Sequence, residues 1–415
     1  MEKSEKKIHI IGAGLSGLVA AIVLERFGYH PIIIERDNHI GGRLQTKKVK
    51  GYQVDVGFQV LLEAYPKLQE YAKLDQLQLK SFEPGASIYL NSKWEVLGDF
   101  TRSPKLFFRT LSSSVGNFKD KLKVFSLSQS LKKKNIEEIF NSPDSKTIDY
   151  LRNYGFSETI IDSFFMPFFG GIFLEDELKT SSRMFEFIYK MFSEGKVSIP
   201  KNGISTLPKH LAGQLKNTEI ILNTSVKEVK SDTILLENNK TIKTDYTIIA
   251  TEASDLIPNL KNQKTSWHSC DNLYFLTSEK KVGANFIGLL PQKDALINNI
   301  VFIDKRKARQ EGRYLLSVTI VKKHDFNQEE LIKRIKKELK SYVGIQELEF
   351  LTHFYISKAL PILQPVEYDI MPSETLLKDG IFLAGDQMLN ASVNAAMLSG
   401  ERAAMGIIEL ENLNH

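Results

Sequence analysis

The sequence predicts an α/β fold that opens with a domain of the Rossmann type, and three observations near its start support this. An apolar run at residues 8–11 indicates a buried parallel strand, three glycines interrupt it, and a segment with helical apolar spacing follows. A second apolar run at residues 31–34 then ends in Glu35, about 20 residues beyond the glycines. This order of strand, glycine turn, helix, strand and acidic residue is typical of a dinucleotide-binding domain.

Each glycine of the turn has a separate physical role. Gly12 permits the tight turn, Gly14 lets backbone N–H groups approach a pyrophosphate, and Gly17 lets the helix pack closely on the strand. The N-terminus of the helix, at Leu15 and Ser16, adds partial positive charge beside the phosphates. These five residues form the first predicted cofactor contacts. A glycine turn that serves packing alone is the alternative left open by this motif.

Glu35 and the neighbouring Arg36 complete the predicted nucleotide site at the end of the second strand. The carboxylate can accept hydrogen bonds from both ribose hydroxyls, and its negative charge disfavours a 2′-phosphate at the same place. The nucleotide is therefore predicted to be FAD or NAD rather than NADP.

Composition limits the remaining possibilities. The chain has 415 residues, enough for two domains, and its 42% hydrophobic and 25% charged content is ordinary for a globular protein. The single cysteine, Cys270, excludes an intramolecular disulfide and a CxxC redox pair, which argues against a flavin disulfide reductase. The eight histidines lack ligand spacing, so no metal site is predicted.

Charge and hydropathy bear on partners and location. The formal charge of +5 is mild for this length and no nucleic-acid motif accompanies it, so no nucleic-acid partner is predicted. The polar start, MEKSEKK, lacks the apolar core of a signal peptide, and no apolar run approaches about 18 residues. A cytoplasmic location is expected, with peripheral membrane contact left open. The sequence does not indicate an oligomeric state.

Residues 38–43, NHIGGR, resemble the extension that follows the fingerprint in the superfamily of FAD-dependent amine oxidases, protoporphyrinogen oxidases and phytoene desaturases. The resemblance implies FAD as the cofactor. In that superfamily the two glycines bring backbone close to the flavin side of FAD, and the arginine contacts the pyrophosphate or ribityl region. By similarity Gly41, Gly42 and Arg43, with the adjoining Leu44, do so here.

Later segments resemble the same superfamily in the same order. Residues 52–66, YQVDVGFQVLLEAYP, resemble the segment that implies Gly57 and Phe58 beside the flavin. Residues 220–230, ILNTSVKEVK, resemble the strand whose backbone contacts adenine at about Val226.

Two further segments resemble the parts of the family that close over the cofactor. Residues 244–253, TDYTIIATEA, look like the return strand that ends over FAD. Residues 380–404 look like the closing motif, in which a Gly-Asp pair follows a strand and a helix N-terminus points at the flavin. The contacts that these two resemblances imply are Ala250, Thr251, Gly385, Asp386 and Val393.

The resemblance implies two domains built from interleaved segments. Residues 1–80, 199–265 and 366–415 are predicted to form the FAD-binding domain, and residues 81–198 and 266–365 an α+β substrate domain.

Within the substrate domain, residues 81–198 are expected to be mainly helical and basic. The stretch from 102 to 135 mixes large apolar side chains with Lys and Arg, which suits either contact with an anionic membrane or solvated lid helices. The aromatic segment 163–192 resembles the family's lining of an apolar tunnel, with plain core as the alternative.

The resemblance also implies the reaction class. Isoalloxazine accepts the electrons, so the protein need only orient a substrate and exclude competing reactions, and no catalytic residue is assigned. Amine oxidases of the superfamily carry an aromatic in the closing motif, whereas this chain reads SVNAAMLSG there. The favoured prediction is dehydrogenation or isomerisation of a bulky apolar substrate such as a carotenoid, another isoprenoid or a tetrapyrrole. The alternatives are a flavin amine oxidase and a non-enzymatic lipid-binding protein of the Rab GDP-dissociation-inhibitor type.

Overall fold

The computed structural model describes residues 3–99, 101–260, 263–282, 285–304 and 306–413. Of the predicted FAD-binding segments, residues 1–2, 261–262 and 414–415 lie outside the described residues.

The strands follow one another along the described chain with short connections. They are β1 (Ile8–Ile11), β2 (Ile32–Ile34), β3 (Thr46–Val49), β4 (Tyr52–Asp55), β5 (Leu61–Leu62), β6 (Leu79–Ser81), β7 (Gly85–Leu90), β8 (Lys93–Gly98), β9 (Val197–Pro200), β10 (Glu219–Ile221), β11 (Val226–Val229), β12 (Thr233–Leu236), β13 (Thr241–Lys243), β14 (Tyr246–Ile249), β15 (Trp267–Thr277), β16 (Ile287–Leu289), β17 (Ile297–Ile303), β18 (Tyr314–Ile320), β19 (Glu349–Pro361), β20 (Leu376–Lys378) and β21 (Ile381–Leu383).

Most helices lie between β8 and β9 or at the two ends of the chain. They are α1 (Leu15–Arg26), α2 (Pro66–Tyr71), α3 (Phe107–Ser112), α4 (Phe118–Lys133), α5 (Ile136–Phe140), α6 (Thr147–Tyr154), α7 (Glu158–Ile160), α8 (Met166–Phe173), α9 (Ser182–Glu194), α10 (Thr206–Ala212), α11 (Arg306–Gln310), α12 (Gln328–Glu338) and α13 (Val393–Leu413). In the described part of the chain, none of them combines the length and apolar character that crossing a bilayer requires.

A six-stranded sheet holds the glycine turn. Its order is β10-β2-β1-β14-β21-β20, and every neighbouring pair is parallel except β20 with β21. Ile10 pairs with Ile33 on one side and Ile248 on the other, and all three are fully buried, which is why these strands read as continuous apolar runs. The sheet therefore joins residues 8–34, 219–249 and 376–383.

A seven-stranded sheet, in the order β19-β15-β18-β17-β16-β7-β8, forms the second half of the molecule. Its pairs are antiparallel except β16 with β7. Alternate residues of β15 serve its two faces: Leu273 packs with Leu331 of α12, whereas Tyr274 packs with Tyr52 of β4. One face thus carries a helix and the other faces the rest of the chain.

The expectation that the pattern becomes helical from residue 81 is wrong at its start. Residues 85–98 form the hairpin of β7 and β8, which is turned by Asn91 (φ 49°) and Ser92 (φ 62°). Two consecutive positive φ angles match the twist of antiparallel strands, so this dipeptide makes a hairpin turn although it lacks glycine. The helical region begins only after β8.

Candidate flavin site

The three glycines of the first turn have different surroundings. A Cβ on Gly12 (φ +103°) would lie 2.5 Å from Thr251 Cγ2, and one on Gly17 would lie 2.0 Å from the Gly12 carbonyl oxygen. Gly14, the N-cap of α1, is extended (φ −74°) and has nothing within 4 Å of its Cβ position. Gly12 and Gly17 therefore permit packing, whereas Gly14 faces open space.

The N-terminus of α1 lies beside that open space. The N–H groups of Leu15, Ser16 and Gly17 have no intrahelical acceptor, because the first helical bond runs from the Leu18 N–H to the Gly14 carbonyl at 3.0 Å. Unpaired N–H groups at a helix N-terminus suit a phosphate. This geometry fits the pyrophosphate of a dinucleotide.

Glu35 binds the glycine turn from the next strand. Its carboxylate is buried and accepts hydrogen bonds from the Ala13 N–H at 2.7 Å and the Asp37 N–H at 2.9 Å. A carboxylate has about four acceptor positions, so capacity is left for ribose hydroxyls. Arg36 instead points into solvent, 4.0 Å from Asp37, and no contact in the structure ties it to the turn.

The predicted adenine strand lies beside Glu35. The Thr224 N–H donates to the Glu35 carbonyl at 2.9 Å, and the Glu35 N–H donates to the Ile221 carbonyl at 2.9 Å. Val226 begins β11 two residues beyond Thr224 and is partly buried. The structure therefore brings Val226 close to the ribose end of the site.

The second glycine turn packs directly on the first. The Gly41 N–H donates to the Ala13 carbonyl at 2.8 Å, and a Cβ on Gly42 would lie 3.4 Å from Gly14 Cα. Leu44 closes this turn by donating its N–H to the Gly41 carbonyl at 3.0 Å. Both glycine turns thus contribute backbone to one crevice.

Arg43 connects the front of the chain to its back. Its guanidinium donates a hydrogen bond to the buried Asp386 carboxylate and a second one, at 3.3 Å, to the Ala359 carbonyl. The same guanidinium lies 5.2 Å from the ring centroid of Trp267. Two residues predicted to hold the cofactor, Arg43 and Asp386, therefore also hold each other, and Trp267 is a neighbour that the sequence does not reveal.

The closing motif is held by polar side chains of α13 and the residues before it. Gly385 (φ +146°) donates its N–H to Ser399 Oγ at 2.9 Å, and the Ser392 hydroxyl accepts from the Ala395 N–H at 3.0 Å. Ser392 thereby caps the helix that Val393 begins. The helix then packs on α1, since a Cβ on Gly400 would lie 2.1 Å from the Ser16 carbonyl oxygen.

The return strand closes over the first glycine. The Ala250 N–H donates to the Ile11 carbonyl at 2.9 Å, and Thr251 follows at the end of β14 against Gly12. Gln387 Nε2 reaches the Thr251 carbonyl at 3.4 Å. Ala250 and Thr251 thus lie between the first and last motifs, as the resemblance implies.

Gly57 and Phe58 lie on the side that faces the seven-stranded sheet. Gly57 has φ +90°, and its Cβ position is 3.6 Å from Ile356 Cδ1 of β19. Nearby, Asp55 accepts hydrogen bonds from Thr46 Oγ1 at 2.6 Å and from the Ile204 N–H at 3.0 Å. Asp55 therefore fixes the chain just before Gly57 and ties it to the segment at residue 204.

The turn at residues 202 and 203 needs one left-handed residue. Gly203 has φ +91°, and a Cβ there would lie 2.3 Å from Thr46 Oγ1, whereas Asn202 is not among the residues with positive φ. Superfamily members with two glycines at this place led to the expectation of a left-handed asparagine. The turn keeps its shape here with Gly203 alone.

An apolar pocket lies next to this side of the site. Its empty volume is ≈ 1060 Å³, including solvent at its mouth. Phe82 lines it, and the Phe82 ring lies edge-on to Phe58 with centroids 6.1 Å apart. The aromatic side chains that line it are Phe82, Phe125, Phe164, Phe168, Phe169, Tyr189 and Phe192.

The aromatic segment 163–192 therefore divides between two roles. Phe164, Phe168, Phe169, Tyr189 and Phe192 line the pocket. Other aromatic side chains of the segment, such as Phe165, Phe173, Phe185 and Phe187, belong to the main hydrophobic core.

These contacts bring the glycine turns, the buried acidic residue and the closing Gly-Asp pair to one crevice of an α/β fold, which defines a dinucleotide-dependent oxidoreductase. The sequence model of the flavin containing amine oxidoreductases matches residues 15–408, and the chain belongs to that family. It is a FAD-dependent oxidoreductase.

Curated relatives match parts of the chain. A 4,4′-diaponeurosporene oxygenase from Staphylococcus haemolyticus is 32% identical over 87 residues, which cover 19% of this chain and 17% of the relative. An L-amino-acid oxidase from Bothrops moojeni is 28% identical over 160 residues, which cover 36% of this chain and 32% of that protein. The matched stretches thus span less than a third of each relative.

Solved structures match nearly the whole fold. An oxidoreductase from Methanosarcina mazei superposes with a TM-score of 0.75 at 18% identity and covers 97% of this chain and 100% of that one. A protein from Exiguobacterium, provisionally assigned as a protoporphyrinogen oxidase, gives 0.73 at 18% identity, with 98% and 99% covered. Cyclohexylamine oxidase from Brevibacterium oxydans gives 0.69 at 15% identity, with 98% and 99% covered. At these identities the likeness concerns the fold.

Proposed function

We propose that this oxidoreductase dehydrogenates or isomerises a bulky apolar substrate, of carotenoid, other isoprenoid or tetrapyrrole type. The apolar pocket beside Phe58 and Phe82 carries the proposal, because its lining is largely aromatic. FAD, when bound, supplies the electron acceptor. The protein then has to admit an apolar molecule, orient it and keep water away.

The polar groups that line the pocket are occupied by other parts of the protein. Lys121 Nζ donates to the Leu111 and Ser113 carbonyls at 3.0 and 2.5 Å, and burial lowers its pKa. Arg102 donates to the Phe192 carbonyl, and Asp99 accepts from the Thr101 N–H at 2.9 Å. Because these groups already have partners, the surface left for a ligand is mainly that of the rings.

An amine substrate is the main alternative, and the relatives include amino-acid and amine oxidases. The first turns of α13 carry Val393, Ala395, Ala396 and Met397, with no aromatic side chain. A cage of two aromatic rings against the flavin would need one there, according to the resemblance. This observation supports the apolar substrate over an amine.

Anaerobic reduction of the bound flavin tests the proposal. The purified holoprotein is mixed without oxygen with polyenes, isoprenoids and tetrapyrroles in detergent micelles, and with primary amines and amino acids in buffer. We expect loss of flavin absorbance with a compound of the first group. Bleaching by amines alone would overturn the proposal.

A pocket-filling variant shows whether the substrate uses this pocket. Ser128 lines it from the buried face of α4, so Ser128→Phe fills it, whereas Ser130→Phe adds the same ring at an exposed position of the same helix. We expect Ser128→Phe to slow bleaching at least about tenfold with unchanged flavin content, and Ser130→Phe to have no effect. Equal rates in both variants would place the substrate elsewhere.

A further inference from the structure

The helices α3 and α4 and the residues around them carry a patch of exposed apolar side chains. Six of the thirteen large apolar side chains exposed in the described part of the chain lie between residues 107 and 125. Phe108 is 76% exposed, Phe118 60%, Leu122 53% and Leu111 46%. Single exposed apolar residues are normal, but a cluster of this size marks a binding surface. We call the surface of residues 105–125 the docking face.

Helix α4 has two apolar stripes, and only one of them is needed for folding. Leu127 and Leu131 are buried in the main core. Phe118, Leu122 and Phe125, spaced by four and three residues, form a second stripe on the exposed side. Because the inner stripe already fixes the helix on the protein, the outer stripe is available for another surface.

The charge around this outer stripe is strongly positive. Residues 101–133 contain eight Lys or Arg and one acidic residue, Asp120. Asp120 is buried and accepts hydrogen bonds from Ser157 and from the Asn117 N–H, so it does not offset the charge outside. Lys105, Arg109 and Lys119 are exposed on the docking face. Positive charge interleaved with exposed aromatic rings complements an anionic bilayer surface.

The docking face also surrounds the mouth of the apolar pocket. Phe125 lines the pocket and is 38% exposed, whereas the other lining residues are buried or half-buried. Lys121 and Val124 of α4 line it as well, and Phe82 with its neighbour Phe58 lies on the side of the flavin site. A surface that meets the docking face therefore meets the pocket.

We propose that the docking face binds an anionic lipid bilayer peripherally, with Phe108, Phe118 and Leu122 inserted among the lipids. The pocket then opens towards the acyl chains beside Phe125, so an apolar substrate passes from the bilayer to the flavin without crossing water. This access route rests on the proposed function, whereas the docking itself does not. A symmetric dimer through the same face is disfavoured, since it would bring two strongly positive surfaces together.

Flotation of the holoprotein with vesicles tests the docking. Vesicles of phosphatidylcholine alone are compared with vesicles containing about one third phosphatidylserine, at low and at high salt. We expect binding to the anionic vesicles that is lost with salt. Absence of flotation, or equal binding to both kinds of vesicle, would overturn the proposal.

Substitutions assign the binding to this face. Phe118→Ser should weaken flotation about tenfold, and Lys105→Glu with Arg109→Glu should weaken it as much on anionic vesicles. Phe326→Ser is the matched control, because Phe326 is 45% exposed outside the docking face. Equal flotation of Phe118→Ser and Phe326→Ser would contradict the assignment, as would a dimer in sedimentation that only Phe118→Ser dissociates.

The two proposals fail separately. If the docking face works as proposed, Phe118→Ser loses activity towards substrate embedded in vesicles and keeps it towards the same substrate in detergent micelles. Loss in both settings would overturn the access route. If the wild type floats and no apolar compound bleaches its flavin, the docking stands and the proposed substrate class fails.

Discussion

The two halves of the molecule are specific in different ways. Around the six-stranded sheet the close contacts involve backbone: Gly12, Gly17 and Gly400 each sit where a Cβ would lie 2.0 to 2.5 Å from another atom. In the helical region beside the seven-stranded sheet, specificity lies in rings such as Phe165 and Phe169, which pack against one another. Backbone contacts admit glycine only, whereas a ring cluster accepts many large apolar residues. The cofactor half is therefore encoded by residue type and the substrate half by shape.

The largest effect is expected where backbone meets backbone. Gly17→Ala places its Cβ against the Gly12 carbonyl, which cannot move without breaking the turn, so we expect the free energy of unfolding to fall by about 3 kcal/mol or more. Gly14→Ala meets no atom within 4 Å and is already extended, so the fold should keep its stability. Thermal unfolding of both flavin-free variants measures this difference.

The same pair separates folding from cofactor binding. Because a methyl group on Gly14 enters the space above the N-terminus of α1, Gly14→Ala should bind FAD at least about tenfold more weakly while melting like the wild type. A Gly14→Ala variant with wild-type affinity for FAD would show that the open space is not the pyrophosphate site.

The next effect concerns the polar ends of the cofactor half. Asp386→Asn removes the charge that faces Arg43, and Glu35→Ala removes the carboxylate that holds the Ala13 N–H. We expect each to weaken FAD binding at least about tenfold, measured as flavin absorbance per protein. Asp369→Asn is the control, since Asp369 pairs with Arg402 at 2.6 Å in another ion pair. Full yellow colour in both test variants would contradict the site.

A smaller, pH-dependent effect should also come from the cofactor half. His9 of β1 is buried, with Nδ1 2.9 Å from Thr244 Oγ1, and burial lowers its pKa to about 4. The unfolded chain, with a histidine pKa near 6.5, therefore takes up a proton first as the pH falls. This contribution to stability should be level above about pH 6.5 and be lost by about pH 4.

Comparison with His9→Asn isolates that contribution. Denaturant titrations between pH 7 and pH 4 should show the wild type losing up to roughly 3 kcal/mol more than the variant over this range. Parallel pH profiles of the two proteins would mean that His9 titrates alike in the folded and unfolded chains.

The smallest effect is expected in the substrate half, where burial should leave a reactive group silent. Cys270 of β15 is buried, and burial raises its pKa to about 12. Alkylation by iodoacetamide at pH 8 should be roughly a thousandfold slower in the folded protein than in urea. Rapid labelling under native conditions would show that the seven-stranded sheet opens locally.

Much of the cofactor half could be predicted because its signals are local. Gly12, Gly14, Gly17 and Glu35 lie within one strand-turn-helix-strand unit, and the structure places them in one crevice. Arg36 is different, since its side chain points into solvent and no hydrogen bond joins it to the glycine turn.

The missed features depend on contacts between distant residues. Trp267 lies over Arg43, and Ser399 holds Gly385, but nothing in either local sequence indicates the partner. Gly400 left a weak signal, because small residues recur around it in α13. The hairpin of β7 and β8 was missed because Asn91 and Ser92 turn it without glycine. The pocket could be anticipated only as aromatic composition, since its volume depends on how segments far apart in sequence pack.

The order of strands in the six-stranded sheet has a consequence for biosynthesis. β14 ends at residue 249, but its neighbour β21 begins at Ile381, so one edge of the parallel sheet stays unpaired while the seven-stranded sheet is being made. At ribosomal speed that interval lasts on the order of ten seconds. The nascent chain must protect an apolar strand edge throughout it, and the pair of Arg43 with Asp386 forms only afterwards. FAD capture is therefore a late event in the life of each molecule.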